Sequence, residues 1–329
     1  IVHNHGANVL ASFNYTLDSI GNRTQITTQA GNFDFNYDAN NQLTSATNPE
    51  APSLPGGTGR GPASVASESF SYDAIYNRKT DQAGNFSYDN KSQRLVEDYT
   101  NLYVYDNNGN LISKQKKGLN GPVTNFEYTS ENQLKTFKVF DPTFSSTNPS
   151  KTVTYVYDPL GKRIAKKVVD HVTATNSFER RYVYDGQEIV LEYDGSNSLL
   201  ARYTHSTLRT DDVLSADVKT AGVNAGLAQN ATSYQYIKDA QGTILDVADT
   251  SGNKLQHYVY SAFGILLGIQ DANAADITNS PVLNTSYSYT GREFDRESGN
   301  YYYRARYYDP NVGRFLQKDP EPGQLDFPM

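Results

Sequence analysis

"YVYDNNGNLISKQ", residues 103 to 115, is the stretch whose reading decides the fold. Its first two tyrosines are one residue apart, so both rings fall on the same face of an extended strand. The Asp-Asn-Asn-Gly-Asn run after them carries turn chemistry. Glycine and asparagine accept a positive φ, and aspartate hydrogen-bonds to nearby backbone. "LISKQ" then alternates apolar and polar residues and reads as a return strand. The stretch is a hairpin with one aromatic face to bury and one wet face.

The same pattern recurs along the chain. It reads "FNYDANNQLTSAT" from Phe35, "FSYDAIYNRKT" from Phe70 and "FSYDNKSQRLVED" from Phe86. It continues as "FEYTSENQLKTFK" from Phe126, "YVYDPLGKRIAKK" from Tyr155 and a longer version from Tyr182, and "FNYTLDSIGNRTQIT" from Phe13 is an early copy with an insertion. From Phe70 onward, successive copies are 16, 17, 23, 29 and 27 residues apart. Self-similarity of this kind outranks any single motif as a fold signal. A lone hairpin cannot bury its aromatic face, so stacked hairpins extend a sheet that must curl to cover it. The expected fold class is all-β: repeated antiparallel β-hairpins forming a curled or spiralling, shell-like sheet.

Three regions are expected. Hairpin repeats fill 1–200, interrupted at 45–69 by a flexible insertion rich in Pro, Gly, Ser and Ala. Further repeats with polar loops occupy 201–286, around the turns Gln241-Gly242 and Ser251-Gly252-Asn253, with a polar loop at 268–286. A tyrosine-dense region follows at 287–329.

Composition narrows the function classes. Of 329 residues, 37 % are hydrophobic and 26 are tyrosine. Tyrosine packs with its ring and reaches water with its hydroxyl, which suits a thin β-structure with much surface. The aromatic content excludes a disordered chain. A net charge of −7 argues against nucleic-acid binding through phosphate neutralisation. Without cysteine there is neither a disulfide framework nor a thiolate zinc site, which is compatible with secretion. No apolar run approaches the roughly 20 residues of a membrane helix. Signatures for nucleotide, dinucleotide, serine-hydrolase and zinc-protease sites are missing, so no cofactor is expected. The chain begins with isoleucine and its only methionine is Met329, which reads as a piece of a longer protein.

The densest aromatic stretch is "SGNYYYRARYYDPNVGRFLQKDP", 298 to 320. Read as one strand, it places Arg304 and Arg306 on the face opposite Tyr303 and Tyr307. This suggests a cation–π ladder along the sheet, with a stacking platform for sugar or nucleic acid as the functional alternative. His3 and His5 share a strand face and could hold a metal. The acids of Asp271–Asp276 and Arg209–Asp217 sit in loops, but their spacing matches no known calcium loop, and no metal is expected. Arg60, in the 45–69 insertion, is a candidate processing site. Six Asn-x-Ser/Thr sequons read as turn asparagines if the source is bacterial.

The Tyr-x-Tyr-Asp hairpins resemble tyrosine-aspartate (YD) repeats, also called RHS repeats. "YTGREFDRESGNYYYRARYYDPNVGRFLQKDP", Tyr289 to Pro320, closely resembles the opening of the RHS-repeat-associated core domain. The resemblance covers essentially the whole chain. It implies a β-strip spiralling into a hollow shell. In bacterial polymorphic toxins and Tc-toxin C components such a shell encloses a C-terminal toxin, and in teneurins it is a cell-surface adhesion module.

In the toxin families the core domain plugs the shell and acts as an aspartyl autoprotease. The plug strand would here comprise Tyr301, Tyr303, Arg304, Arg306, Tyr307, Asp309, Arg314 and Phe315. Asp319, preceded by Lys318, sits where the first catalytic aspartate is expected. Aspartyl chemistry needs two carboxylates sharing a proton. The partner is expected beyond Met329, so this chain alone should not cleave itself. Asp326 has no supporting spacing, and the structural alternative for Asp319 is a turn residue before Pro320.

The resemblance implies a secreted or surface-exposed fragment that encapsulates a C-terminal effector carried in cis, with secretion machinery or a surface glycan or protein as further partners. The alternative is an adhesion, cell-wall or fibre-forming protein without cargo.

Overall fold

In the computed structural model, which describes residues 1–50, 66–145, 147–219, 231–284 and 286–319, the quoted stretch is a hairpin. Strand Asn101–Tyr105 pairs antiparallel with Leu111–Lys116. The aspartate after the second tyrosine closes the loop. The amides of Leu160 and Lys162 donate to one Asp158 oxygen at 2.9 and 2.8 Å, and those of Asn40 and Gln42 donate likewise to Asp38 at 2.9 Å each. These bonds between a side chain and its local backbone replace the ladder where the chain reverses. The third residue after the aspartate takes a positive φ: 94° at Gly109, 85° at Gly161 and 63° at Asn41. That requirement explains the Gly or Asn found there.

The two aromatic positions do different work. The first is buried at Phe13, Phe70, Phe86, Tyr103, Phe126, Tyr155 and Tyr182 and half-buried at Phe35. The residue between them points the other way, and Val104 and Val156 are 53 % and 49 % exposed. At the second aromatic the register slips, so that Tyr105 faces Leu111 and Tyr157 faces Arg163. Its hydroxyl then reaches back to the preceding repeat. Tyr37 donates to the Arg23 carbonyl at 3.0 Å, Tyr72 to Leu43 at 2.8 Å, Tyr128 to Leu111 and Tyr157 to Leu134 at 2.7 Å, and Tyr184 to Arg163 at 3.0 Å. Each acceptor is the first residue of the return strand one hairpin earlier. Tyrosine rather than phenylalanine is needed because this carbonyl lies beside the register slip, where the ladder leaves it short of a donor.

The described residues are all-β apart from two single 3₁₀ turns, Ala174–Asn176 and Tyr289–Gly291. The chain divides into two compact units, Ile1–Asn85 with Arg202–Glu293 and Phe86–Ala201 with Phe294–Met329.

In the first unit the strands Asn14–Leu17, Arg23–Thr28, Gly31–Tyr37, Leu43–Thr47 and Ser67–Ser69 follow one another as a sheet. A second antiparallel run is Val213–Lys219, Ala231–Lys238, Ile244–Asp249, Lys254–Tyr260 and Leu266–Gln270. Ala11, Phe13, Ile26, Ile237 and Ala248 form one core there. The ends of the expected 45–69 insertion are thus paired, with Ser45 opposite Ser69 and Thr47 opposite Ser67. Residues 51–65, with Arg60, lie outside the described residues. The expected 268–286 loop starts later than its sequence suggests, because Gly268 pairs with Val259 and Ile269 with Tyr258.

In the second unit the strands between Ser87 and Asp194 are sequential antiparallel neighbours. Their buried face carries Phe86, Leu95, Tyr103, Leu111, Phe126, Leu134, Phe137 and Tyr155, and Tyr302, Tyr307, Val312 and Leu316 pack onto it. The tyrosine-dense segment therefore supplies apolar cover for the hairpins of 86–201.

Candidate functional site

The tyrosine-dense stretch is a hairpin, and the single-strand reading of it is corrected. Asn300–Tyr303 and Arg306–Asp309 pair antiparallel, with Tyr301 opposite Tyr308 and Tyr303 opposite Arg306, and Arg314–Phe315 adds the next strand. Arg304 is in the turn at φ 59°. The reversal puts Arg304 and Arg306 on different elements, so they cannot form a ladder on one strand face. Arg304 pairs with Glu188 at 3.2 Å, Arg306 stacks 3.9 Å from the Phe315 ring centre, and Arg314 lies 4.9 Å from that of Tyr88. Tyr301 and Tyr307 are buried, and so is Tyr302, which is not among the expected plug-strand residues.

The cation at the centre of the rings comes instead from a repeat. Arg163, in the return strand of the Tyr155 hairpin, is fully buried, with its guanidinium carbon 4.3 Å from the Tyr302 ring centre and 5.4 Å from that of Tyr155. Its Nη1 donates to Asp295 Oδ2 at 2.7 Å and to the Tyr307 hydroxyl at 3.0 Å, and its amide donates to the Tyr302 hydroxyl at 3.1 Å. Lys166 Nζ lies 3.0 Å from Asp295 Oδ1 and 3.1 Å from Glu297 Oε2. The Tyr155 hydroxyl donates to Asp295 at 2.7 Å. Burial alone would raise the Asp295 carboxyl, but Arg163 and then Lys166 hold it below the ordinary range. Asp295 is thus a counter-ion. Its direct partners are two cations and the Tyr155 hydroxyl, and the Glu297 carboxylate joins the cluster through Lys166.

This cluster was not singled out in the sequence. Arg163 follows a turn, as Arg23 and Arg78 do in other copies, and nothing local distinguishes it. The only available signal was the Asp-x-Glu of "FDRES" just before the tyrosines, which places two acids where an apolar plug would be expected.

Asp309 is another buried turn aspartate. Burial pushes its carboxyl up, but Lys114 at 2.7 Å outweighs this and holds it down, and the Asn311 amide donates to it at 2.9 Å. Beyond it the Leu111 amide donates to the Leu316 carbonyl at 2.9 Å, tying the segment to a repeat strand. Asp319 follows, its side chain 55 % exposed, with its carboxylate 2.9 Å from Arg306 Nη2. Structure brings Arg306, Phe315 and Asp319 together at the segment's end, whereas Tyr301, Tyr307 and Asp309 are interior. Asp326 lies outside the described residues.

The other candidates have partners of their own. His3 stands edge-on to Phe13 and its Nε2 is 2.7 Å from the Lys238 carbonyl. Asp211 pairs with Arg292 and Asp217 with Arg202, each at 2.6 Å, and Asp271 closes a turn by accepting from the amides of Asn273 and Ala275. Among the described residues no group of three His, Cys, Asp or Glu side chains could hold a metal. No helix of the described chain is long and apolar enough to cross a membrane.

Comparison with known proteins extends this picture. The chain is 30 % identical over 315 residues to the tRNA3(Ser)-specific nuclease WapA of Bacillus spizizenii, covering 94 % of this chain and 10 % of that protein. It is 25 % identical over 361 residues to toxin subunit YenC1 of Yersinia entomophaga, covering 98 % of this chain and 35 % of that one. The chain therefore spans about a tenth to a third of the length of these relatives. Among solved structures, that of the Photorhabdus luminescens Tc holotoxin pore matches 96 % of this chain and 16 % of its own, with TM-score 0.64 and 17 % identity, a likeness of fold. Residues 20–323 match the teneurin YD-shell family, and with its Tyr-Asp hairpins and stapled repeats the chain belongs to that family.

Proposed function

We propose that this chain is the distal part of an RHS/YD shell that encloses and protects a C-terminal effector carried in the same longer protein. The observation that carries the reading is how the 294–319 segment is seated. Its hairpin is anchored to the repeats through Asp295 and Arg163, while Asp319 emerges exposed at the end, beside Arg306. That arrangement suits a plug whose far end presents a carboxylate to the chain that follows. The similarity to a tRNA-specific nuclease, WapA, and to a toxin subunit, YenC1, supports the same reading, because an effector carried with a shell accounts for both names.

Release would occur by hydrolysis at a peptide bond beyond this segment. Asp319 forms one half of an aspartyl pair whose other carboxylate lies past residue 329. One carboxylate takes a proton from the attacking water, and the other, protonated, donates to the peptide group. The protein is then secreted or held at the cell surface, with its effector as partner in cis and with secretion machinery or a surface glycan or protein as partner in trans.

The test is the intact mass and self-cleavage of the longer natural chain. A C-terminal fragment that is cut off yet co-purifies, and that stays uncut in Asp319→Asn, is the expected result. Unchanged cleavage in the Asn variant would remove the role given to Asp319. A natural end near Met329, with no retained fragment, would favour the adhesion or fibre reading.

A further inference from the structure

The first unit contains a cavity of ≈ 110 Å³ between its two runs of strands. Aromatic side chains line part of it, among them Phe13, Phe33, Tyr260 and Tyr289, and of the three acidic side chains on its wall Glu68 is the one buried against the Ala262 amide. Glu68 stands on strand Ser67–Ser69 and is buried. The Ala262 amide donates to its Oε2 at 2.7 Å. The Tyr289 hydroxyl donates to the Ala262 carbonyl at 3.1 Å, which ties down the residue whose amide orients Glu68.

A buried carboxylate among rings is an expensive arrangement without a counter-charge. Of the charged groups on the wall, Arg23 is cationic, whereas Glu50, Glu68 and Asp239 are acidic. Arg78 also acts on Glu68, and Asp81 opposes it. The Arg78 guanidinium is committed to the rings of Phe263 and Phe70, 4.8 and 5.7 Å away. Burial consequently dominates, and the Glu68 carboxyl is pushed up to about 7. The walls and the carboxylate together have the chemistry of an aromatic cage for a cation, in which ring faces and an anion act on the same charge. A dry cavity of about 150 Å³ holds benzene, so this one takes about five heavy atoms.

We propose that this cavity binds a small organic ammonium ion, with Glu68 as its counter-charge and the aromatic side chains as its walls. The site lies wholly in the first unit and is independent of the reading given to Asp319.

The experiment titrates the intact chain with n-butylammonium and with its neutral counterpart n-butanol, following the Ala262 amide and the Glu68 carboxyl carbon by NMR. Butylammonium should give a saturable shift at Ala262 with Kd on the order of millimolar, as expected of a five-atom ligand. Butanol should bind at least about tenfold more weakly, since it forms no charge-assisted bond. Glu68→Gln should weaken butylammonium about tenfold and leave butanol unchanged. Equal affinity for the two probes, or no saturable shift at Ala262, overturns the proposal. Should the Gln variant not fold, the wild-type protein decides. Saturating butylammonium must lower the pH at which the Glu68 carboxyl titrates, and an unmoved titration overturns the site.

Discussion

Asp295 is the residue on which the second unit turns. Removing its charge leaves Arg163 buried without its carboxylate and Lys166 with Glu297 alone, a loss of about 3–5 kcal/mol for breaking a buried pair from one side. Asp295→Asn should therefore lower the denaturation midpoint sharply. Arg163→Met combined with Asp295→Leu should cost less than either single change, because it removes both charges together. The comparison is made by denaturant unfolding. The same pair sets an acid limit. The folded carboxyl lies below its unfolded value of about 3.9, so its contribution is present above that pH and is lost as the pH falls through the folded value.

His257 behaves in the opposite sense. Burial disfavours its charge, but hydrogen bonds to Asp246 at 2.8 Å and Glu50 at 3.2 Å outweigh this and raise it to about 10. Its contribution is complete below about pH 6.5 and is lost as the pH rises through about 10. Stability of the wild-type chain should decline between pH 8 and 10, and His257→Gln should flatten that limb. Glu68 does not confuse the measurement, since burial raises it only to about 7.

At the scale of the hairpin, the second tyrosine is a staple between neighbours. Tyr128→Phe keeps the ring and deletes only the 2.7 Å bond to the Leu111 carbonyl. The expected loss is about 1–2 kcal/mol, because the acceptor is left unpaired. Val104→Thr, on the exposed side of the same sheet, should leave the midpoint nearly unchanged. The turn glycines differ in what they require. Gly264 has φ 88°, and a Cβ there would stand 2.5 Å from the Tyr289 ring. Gly264→Ala should be destabilising by roughly 1–3 kcal/mol from backbone strain alone, with the ring clash added. Gly21, with φ 92° and nothing within 4 Å, should show the strain without the clash. Thermal unfolding of the two Ala variants separates these contributions.

Neither unit is a contiguous stretch of chain. Residues 86–201 are completed by residues from 294 onward, so the sheet face of Phe137, Tyr155 and Arg163 is covered by a segment that follows it by more than a hundred positions. A chain ended at residue 286 should expose that face. It should bind a hydrophobic dye and lose protease resistance in 86–201, whereas Asp319→Asn should do neither, because the Asp319 side chain is largely exposed.

The hairpins were legible in the sequence because alternation and turn chemistry act over a few residues. Tyr103, Asp106 and Gly109 together already specify strand, turn and return, and the inward ring and outward valine follow from strand geometry. The YYYRARYY hairpin was misread for the same local reason. Its turn has neither glycine nor asparagine, and Arg304 takes a positive φ within the pairing of Tyr303 with Arg306. Arg163 and Asp295, 132 positions apart, could not be joined from sequence at all. A buried charge is tolerated only where a partner is delivered to it, and that delivery is a property of the folded chain.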